Sequence, residues 1–337
     1  MFRRLYINIM KTKAFVITDT HFGIKQNSTT WLNSQISFFE NEFIPAIKRY
    51  IENGYSVYVV HCGDVFDSRS SINPFVAHKV RETFKKISDL CKVYIIAGNH
   101  DFYSPNSDEY SALNLILGDL KNLTIIKSGI TAFIDDDDIV SLFVPWYSFN
   151  FDELFTAIEK YHPKRIFCHT DLTNLDESIV PLLKGIDVFS GHIHTPCKKN
   201  NLITLGSTFA LTFADCNSER GYYVLDKNTM MFIPAIDIIK FWRYCNEEIL
   251  CLNAEPIKND YVELYVDKLN LLNTEYSNKI SELGSVVRNL SVIPKDSQTT
   301  NESIEFKNYD IEELCRENVP QQLKEKFEII SKIAKNQ

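Results

Sequence analysis

Five short segments of the chain carry side chains that ligate metals or move protons. They are Asp19-Thr-His21, Gly63-Asp64-Val-Phe-Asp67, Gly98-Asn99-His100-Asp101, His169, and Gly191-His192-Ile-His194. Asp19, His21, Asp64, Asn99, His169, His192 and His194 together offer imidazoles, carboxylates and one amide oxygen. Oxygen and nitrogen donors without thiolate suit Mn²⁺, Fe²⁺ or Zn²⁺ held for chemistry, rather than a cysteine-built structural zinc. Seven donors exceed what one ion with an open position needs. They fit two ions roughly 3.5–4 Å apart that share a carboxylate. In extended backbone, residues i and i+2 face the same way, so Asp19 with His21, and His192 with His194, can point into one site. Gly63, Gly98 and Gly191 each precede a donor and are expected to let the chain turn sharply toward the metals. A lone DxH or HxH arises by chance; the weight rests on all five segments in this order.

What must position these side chains is a set of strand ends. Each segment follows a strand-like run: residues 14–18 (AFVIT), 57–60 (VYVV), 93–97 (VYIIA), 165–168 and 187–189. Ligands of open α/β sheets bind beyond the carboxyl ends of the strands, so the five ends can converge on one edge. Residues 31–47 carry Leu32, Ile36, Phe39, Phe43 and Ile47 at helical spacing, with a bend expected at Pro45. Residues 74–90 read as a second helix, and 139–144, 202–205 and 222–225 as further strands. Strand and helix in alternation imply α/β sheets with covered faces. Beyond about residue 240 the pattern changes. Residues 261–267 alternate as a strand, 275–283 read as a helix and 286–293 as another strand. Residues 294–303 are polar and turn-rich, and Leu323, Phe327, Ile330 and Ala334 form an apolar stripe in a helical tail. The acidic run at 135–138 reads as a solvated turn between strands.

Composition narrows the classes. Hydrophobic residues are 45% of the chain and charged residues 24%, enough for a packed core and incompatible with wholesale disorder. A formal net charge of −8 argues against a protein that grips nucleic acid by bulk charge, though not against a local basic groove or a partner that supplies one. The 8 cysteines form no CxxC pair and read as free thiols in a reducing compartment. No run reaches the roughly 20 apolar residues of a membrane span. The expectation is a soluble, intracellular protein without a membrane role. There is no GxSxG elbow, P-loop or GxGxxG, hence no sign of a covalent serine intermediate or a nucleotide cradle.

In their order DxH, GDxxD, GNHD, H, GHxH, these segments resemble the signature of the calcineurin-like metallophosphoesterases. Phe66 within GDVFD, the stretch Leu205-Gly206-Ser207-Thr208 through Leu211-Thr212-Phe213, and Arg220-Gly221-Tyr-Tyr-Val-Leu-Asp226 are similar to the SbcD-type DNA nuclease branch. That branch includes the T-even phage recombination nuclease subunit. The likeness is good over residues 13 to about 240 and holds only in outline beyond. Thr208 departs from the usual proline, read as a harmless loop change. The implied fold is α/β: a two-sheet metallophosphoesterase sandwich flanked by helices, with a small α+β capping domain and a C-terminal helical tail. The implied division is a nuclease domain at 1–240, a capping and DNA-binding domain at 241–293, a linker at 294–303 and an ATPase-binding tail at 304–337.

The resemblance also implies roles. Asp19, His21 and His194 would hold one metal, Asn99, His169 and His192 a second, and Asp64 would bridge them. Two divalent ions, Mn²⁺ foremost with Mg²⁺, Fe²⁺ or Zn²⁺ as alternatives, would provide hydroxide at neutral pH and neutralise charge on a phosphodiester. His100 would stabilise or protonate the leaving oxygen, with Asp101 orienting its imidazole. Arg69, Phe102 and Tyr103 are candidate DNA contacts. His61 reads as a core or supporting histidine, and Trp146 as core. The implied function is 3′–5′ exonuclease action on duplex ends, with single-strand endonuclease activity, in recombination and double-strand break processing. The implied protein is a homodimer docked through its C-terminal helices on an SbcC-type, SMC-like ABC ATPase in a bacterial or phage-infected cytoplasm. Two rivals stand beside it. One is a relative acting on phosphomonoesters or cyclic nucleotides; the other is a non-catalytic scaffold of the same fold, which would have lost several of these donors.

Overall fold

A computed structural model describes residues 11–295 except 105–106, 147–150, 173–179 and 228. The helical tail with its stripe, most of the expected linker and the first ten residues lie outside the described residues.

The apolar, β-branched runs form strands. In chain order these are β1 (Thr12–Ile17), β2 (Ser56–His61), β3 (Lys92–Ile96), β4 (Phe102–Ser104), β5 (Ser107–Ser111), β6 (Leu123–Ile126), β7 (Thr131–Ile134) and β8 (Val140–Val144). There follow β9 (Arg165–His169), β10 (Asp187–Gly191), β11 (Cys197–Lys199), β12 (Leu202–Thr204), β13 (Gly221–Leu225) and β14 (Met230–Pro234). Two six-stranded sheets result, in the orders β14-β13-β1-β2-β3-β6 and β11-β12-β10-β9-β8-β7. Each has a parallel centre, β1-β2-β3-β6 and β12-β10-β9-β8, so within each the carboxyl ends line up along one edge.

Side-chain alternation assigns the faces. Ala14, Val16, Tyr58, Val60 and Cys62 of the first sheet meet Phe143, Phe167, Phe189 and Ile203 of the second in one shared core. Phe15, Ile17, Val57 and Val59 point the other way and are covered by helices. Helix Pro74–Ser88 begins on Pro74, with the Asn73 side chain accepting from Phe75 N at 2.8 Å. The bend expected at Pro45 is a π-turn at Phe39–Phe43, inserted between helices Thr29–Phe38 and Ile44–Glu52. Widening the turn ahead of the ring lets the helix continue where a proline lacks its N–H.

A third sheet of three parallel strands, β15 (Phe241–Cys245), β16 (Tyr261–Asp267) and β17 (Asn289–Lys295), has its own core under helix Thr274–Gly284. It abuts the sandwich where Trp31 stacks on Phe241 at 5.7 Å. β17 runs through Pro294 and Lys295, two residues that the sequence reading gives to the linker. Its edge position tolerates the missing N–H.

The acidic run is the turn between β7 and β8, with Asp136 and Asp138 exposed as a solvated turn requires, but it also makes specific bonds. Asp137 Oδ2 accepts from Thr12 N at 2.8 Å and Asp136 Oδ2 from Ser56 Oγ at 2.5 Å. Asp135 is buried and caps its own turn, through Asp137 N and Ile139 N. The run therefore clips the β7–β8 turn to the amino ends of β1 and β2.

Candidate metal centre

The five sequence segments do leave the carboxyl ends of β1, β2, β3, β9 and β10, and the structure brings all seven donors together. The segments are turned rather than extended. Asp19, His21, Asp64 and His192 have φ of 48°, 44°, 54° and 79°, in the left-handed region. The i, i+2 argument therefore gives the right convergence for the wrong reason. Such a conformation costs a non-glycine residue roughly 1–3 kcal/mol. Four of them rival the roughly 5–15 kcal/mol net stability of a whole domain. The surroundings must hold them.

The glycines have two different tasks. Gly63 sits at φ 98° and needs its conformational freedom. Gly98 and Gly191 have ordinary φ; what they give is room. A Cβ on Gly98 would lie 2.9 Å from Asp64 Cγ, and one on Gly191 would lie 2.7 Å from Asp19 Oδ2 and 2.6 Å from the Cys62 carbonyl.

The donors form two nests. In the first, His21 Nε2 lies 3.2 Å from His194 Nε2 and 3.9 Å from Asp19 Oδ1, which is 3.8 Å from His194 Nε2. In the second, Asn99 Oδ1 lies 3.0 Å from both His169 Nε2 and His192 Nδ1. Asp64 faces both, with Oδ2 3.8 Å from His21 Nε2 and Oδ1 3.4 Å from His169 Nε2. A cation about 2.1 Å from each donor sets them roughly 3.0–3.4 Å apart at octahedral or tetrahedral angles. The nests are near that size, and two imidazole nitrogens turned on each other are what a shared cation explains. Among the described residues, every cluster of His, Cys, Asp and Glu able to hold a metal lies here.

Charge divides the imidazoles of each nest. Burial opposes a proton on His169, yet Asp64 and Asp19 outweigh it and raise its pKa to about 9. His21 is likewise raised against its burial by Asp67, Asp64 and Asp19. Asp64, despite burial, is held below the usual carboxylate range by His169, His21 and His100. His192 and His194 are lowered, first by burial and then by a neighbouring histidine. Each nest thus holds one imidazole drawn toward positive charge by the carboxylates and one kept from it by burial and its neighbour.

His100 stands beside the shared carboxylate. Its N–H donates to Asp64 Oδ1 at 2.8 Å, and its ring packs edge-on to His21 at 5.0 Å. Its Nδ1 is held by the carbonyl of Asp67 at 2.6 Å, which fixes Nδ1 as the N–H donor and turns Nε2 outward. That corrects the expected role of Asp101. Both Asp101 oxygens are occupied by backbone N–H groups: Oδ2 by Gly98 at 2.9 Å and Asp64 at 3.0 Å, Oδ1 by Val65 at 3.0 Å and Phe66 at 3.3 Å. Burial and Asp64 push Asp101 up, to about 7, but an acceptor of four N–H groups is best served by the carboxylate. Asp101 locks the GDVFD and GNHD loops together rather than orienting an imidazole.

Other supports were less legible. Thr20, between Asp19 and His21, donates to the Val65 carbonyl at 3.1 Å and pairs with His61 Nε2 at 3.0 Å. Gln35, buried in helix Thr29–Phe38, donates to the Thr20 carbonyl at 2.6 Å. Burial keeps His61 neutral, its pKa lowered to about 3. Trp146 is no core residue: its ring lies 4.8 Å from His192 and 6.0 Å from His169. Its position after β8, at the same edge, is the signal that could have placed it. Phe102 is fully buried and cannot stack on DNA, whereas Tyr103 is 63% exposed. Arg69 and Tyr103 line one groove of about 920 Å³ with Ile72, Tyr110, Leu115 and Ile116.

No helix among the described residues is long and apolar enough to cross a membrane. The model of the calcineurin-like phosphoesterase family matches residues 12–196, more than half of the chain. A relative from Enterobacteria phage T4, Exonuclease subunit 1, is 25% identical over 237 residues, 66% of this chain and 67% of that one. Among solved structures, a candidate 5′-nucleotidase from Staphylococcus aureus is 13% identical at TM-score 0.39; 67% of this chain aligns with 54% of it, about half its length. The calcineurin-like phosphoesterase YfkN from Bacillus subtilis is 12% identical at TM-score 0.35, over 67% of this chain and 89% of that one.

Proposed function

Because the chain belongs to the calcineurin-like phosphoesterase family, we propose that it is a two-metal DNA phosphodiesterase, the nuclease subunit of an SbcCD-like complex. It acts as a 3′–5′ exonuclease on duplex ends and as a single-strand endonuclease. The observation that carries this is one shared carboxylate, Asp64, between two nests of nitrogen and oxygen donors, with His100 beside it. The 25% identical T4 relative, an exonuclease subunit by name, supports a nuclease that works with a partner subunit; DNA as substrate and an ATPase of the SbcC type as that partner are what the sequence resemblance implies. Residues 304–337, whose sequence has a helical apolar stripe, would dock on that ATPase in the bacterial or phage-infected cytoplasm.

Asp19, His21 and His194 would hold one ion, Asn99, His169 and His192 the other, and Asp64 both. When bound, two divalent ions supply hydroxide at neutral pH and offset phosphate charge. The chain's own part is positioning and proton delivery. His100 Nε2 is turned outward because Nδ1 is tied to the Asp67 carbonyl; from the imidazolium form, with N–H on both nitrogens, it gives the Nε2 proton to the leaving oxygen and is left neutral with Nδ1–H still on that carbonyl, help worth about 10²–10⁴-fold. Trp146 walls the second nest and fixes its two imidazoles. Arg69, two residues past Asp67, is the proposed phosphate contact.

The groove beside it is apolar and exposed at Tyr110 (65%) and Leu115 (86%), and we assign it to a second copy of the chain. Tyr103 belongs to that face as well.

The test is a gel assay on end-labelled duplex with Mn²⁺, with and without the ATPase, beside p-nitrophenyl phosphate and cyclic AMP. Stepwise shortening from the 3′ end is expected. Turnover of the small esters with intact DNA would transfer the reading to a phosphomonoesterase or cyclic-nucleotide enzyme. No hydrolysis of any of them would favour the scaffold.

A further inference from the structure

The strand ends do not by themselves hold His194. It lies beyond the end of β10, and its side chain is 36% exposed where those of Asp19 and His169 are buried. What fixes it comes from residues 206–220. The His194 carbonyl accepts from Ser207 N at 3.1 Å and from the Arg220 guanidinium. Gly206, at φ 73°, lets the chain pass so close that a Cβ would lie 2.9 Å from that carbonyl.

Arg220 is itself anchored. Only 3% exposed, it pairs with Asp215 at 2.9 Å. The other Asp215 oxygen accepts from Leu211 N at 2.8 Å and Thr212 N at 3.1 Å. The same segment grips the chain beside Asp19. Thr208 Oγ1 donates to the Thr18 carbonyl at 2.8 Å and accepts from Thr18 N at 3.1 Å, and Thr208 N donates to the same carbonyl at 3.1 Å. A proline, usual at this position in the resembling branch, could make none of these bonds. Thr208 is therefore no neutral loop change.

Among the described residues, no hydrogen bond runs from 206–220 to Asp64, Asn99, His169 or His192. Those depend on Asp101, on each other, on the Cys62 carbonyl, which holds His169 Nδ1 at 2.7 Å, and, at His192, on the Asp19 carboxylate, which accepts from His192 N at 3.1 Å; none of these partners lies in 206–220. We propose that residues 206–220, through Arg220 and Thr208, are the positioning element for the Asp19–His21–His194 nest alone, leaving the other nest independent of it. This rests on the two-metal reading above.

Calorimetric titration with Mn²⁺ tests it on the full chain, with circular dichroism and thermal melts as the check on folding. The wild type is expected to bind two ions. Arg220→Lys keeps the charge but loses the planar fork. It is expected to weaken one site about 10–100-fold, the usual cost of losing support behind a ligand, and to leave the other unchanged. His194→Ala supplies the reference for loss at that site. Thr208→Val removes only the hydroxyl and is expected to shift the same site a few-fold; it decides the matter should Arg220→Lys fail to fold. Equal weakening of both sites, or two wild-type affinities in a folded variant, overturns the proposal. A wild type that binds no pair of ions sinks the metal centre itself, and this inference with it.

Discussion

The sandwich has an acid-rich edge at each end. At the amino ends of β1 and β2, the carboxylates of residues 135–137 meet N–H and O–H donors: Thr12 N, Ser56 Oγ and their own turn amides. At the carboxyl ends, Asp19 and Asp64 also accept such bonds, from Thr18 Oγ1, His192 N and His100 N, but they face imidazole nitrogens besides, and an amide oxygen, Asn99 Oδ1, joins the same cluster. The first arrangement consumes lone pairs to join two sheets. The second keeps lone pairs aimed at common points, at the expense of four left-handed backbone positions. Acid content is similar; what differs is the partner each acid meets. A cation goes where acceptors outnumber donors, and the amino-end turn joins none of the clusters able to hold a metal among the described residues.

The largest expected effect is at Asp64. Asp64→Ala should abolish tight binding of both Mn²⁺ ions and all cleavage, a loss beyond the roughly 10–100-fold typical of an outer hydrogen-bond partner. Retention of one tight site would show that the carboxylate is not shared. Next comes His100→Asn. Two Mn²⁺ should still bind with near wild-type affinity while kcat on duplex DNA falls about 10²–10⁴-fold. Unchanged kcat would remove His100 from the chemistry; lost metal would make it a ligand.

Much of this edge was readable from sequence because chemistry restricts residue types there. Seven donors and their strand-end positions are legible because few residues ligate metals and the runs before them are apolar. What could not be read are hydrogen bonds to backbone. Asp101 looks like a partner for the adjacent His100, but which atoms its carboxylate meets depends on how two loops fold over it. Gln35 and Arg220 reach the site from 15 and 26 residues away in sequence through carbonyls, and any residue carries a carbonyl. The edge strands β7, β11 and β14 are not legible because runs of three to five residues are too short to show a period. The turn at 135–138 is legible, but its bonds are not, for the same reason as those of Asp101: the donors, Thr12 and Ser56, are more than 75 residues away.

Two smaller effects probe the amino end. Asp137→Ala leaves the buried Thr12 N–H without its acceptor, which should lower stability by about 1–3 kcal/mol in denaturant unfolding while both Mn²⁺ affinities stay fixed. A drop in Mn²⁺ binding would mean that the two edges are coupled. The smallest effect is in pH. Burial, ahead of its turn amides, pushes the Asp135 carboxyl above its ordinary 3.8. The folded protein then holds this proton more tightly than the unfolded chain. The contribution is neutral well below 3.8 and becomes unfavourable as pH rises through the folded value. Stability of the wild type relative to Asp135→Asn should therefore fall as pH climbs from 3.5 toward neutrality, by the same amount with and without Mn²⁺. Were Mn²⁺ to flatten that slope, the turn would be taking up a cation after all, and the contrast between spent and unspent acids would fail at its quieter end.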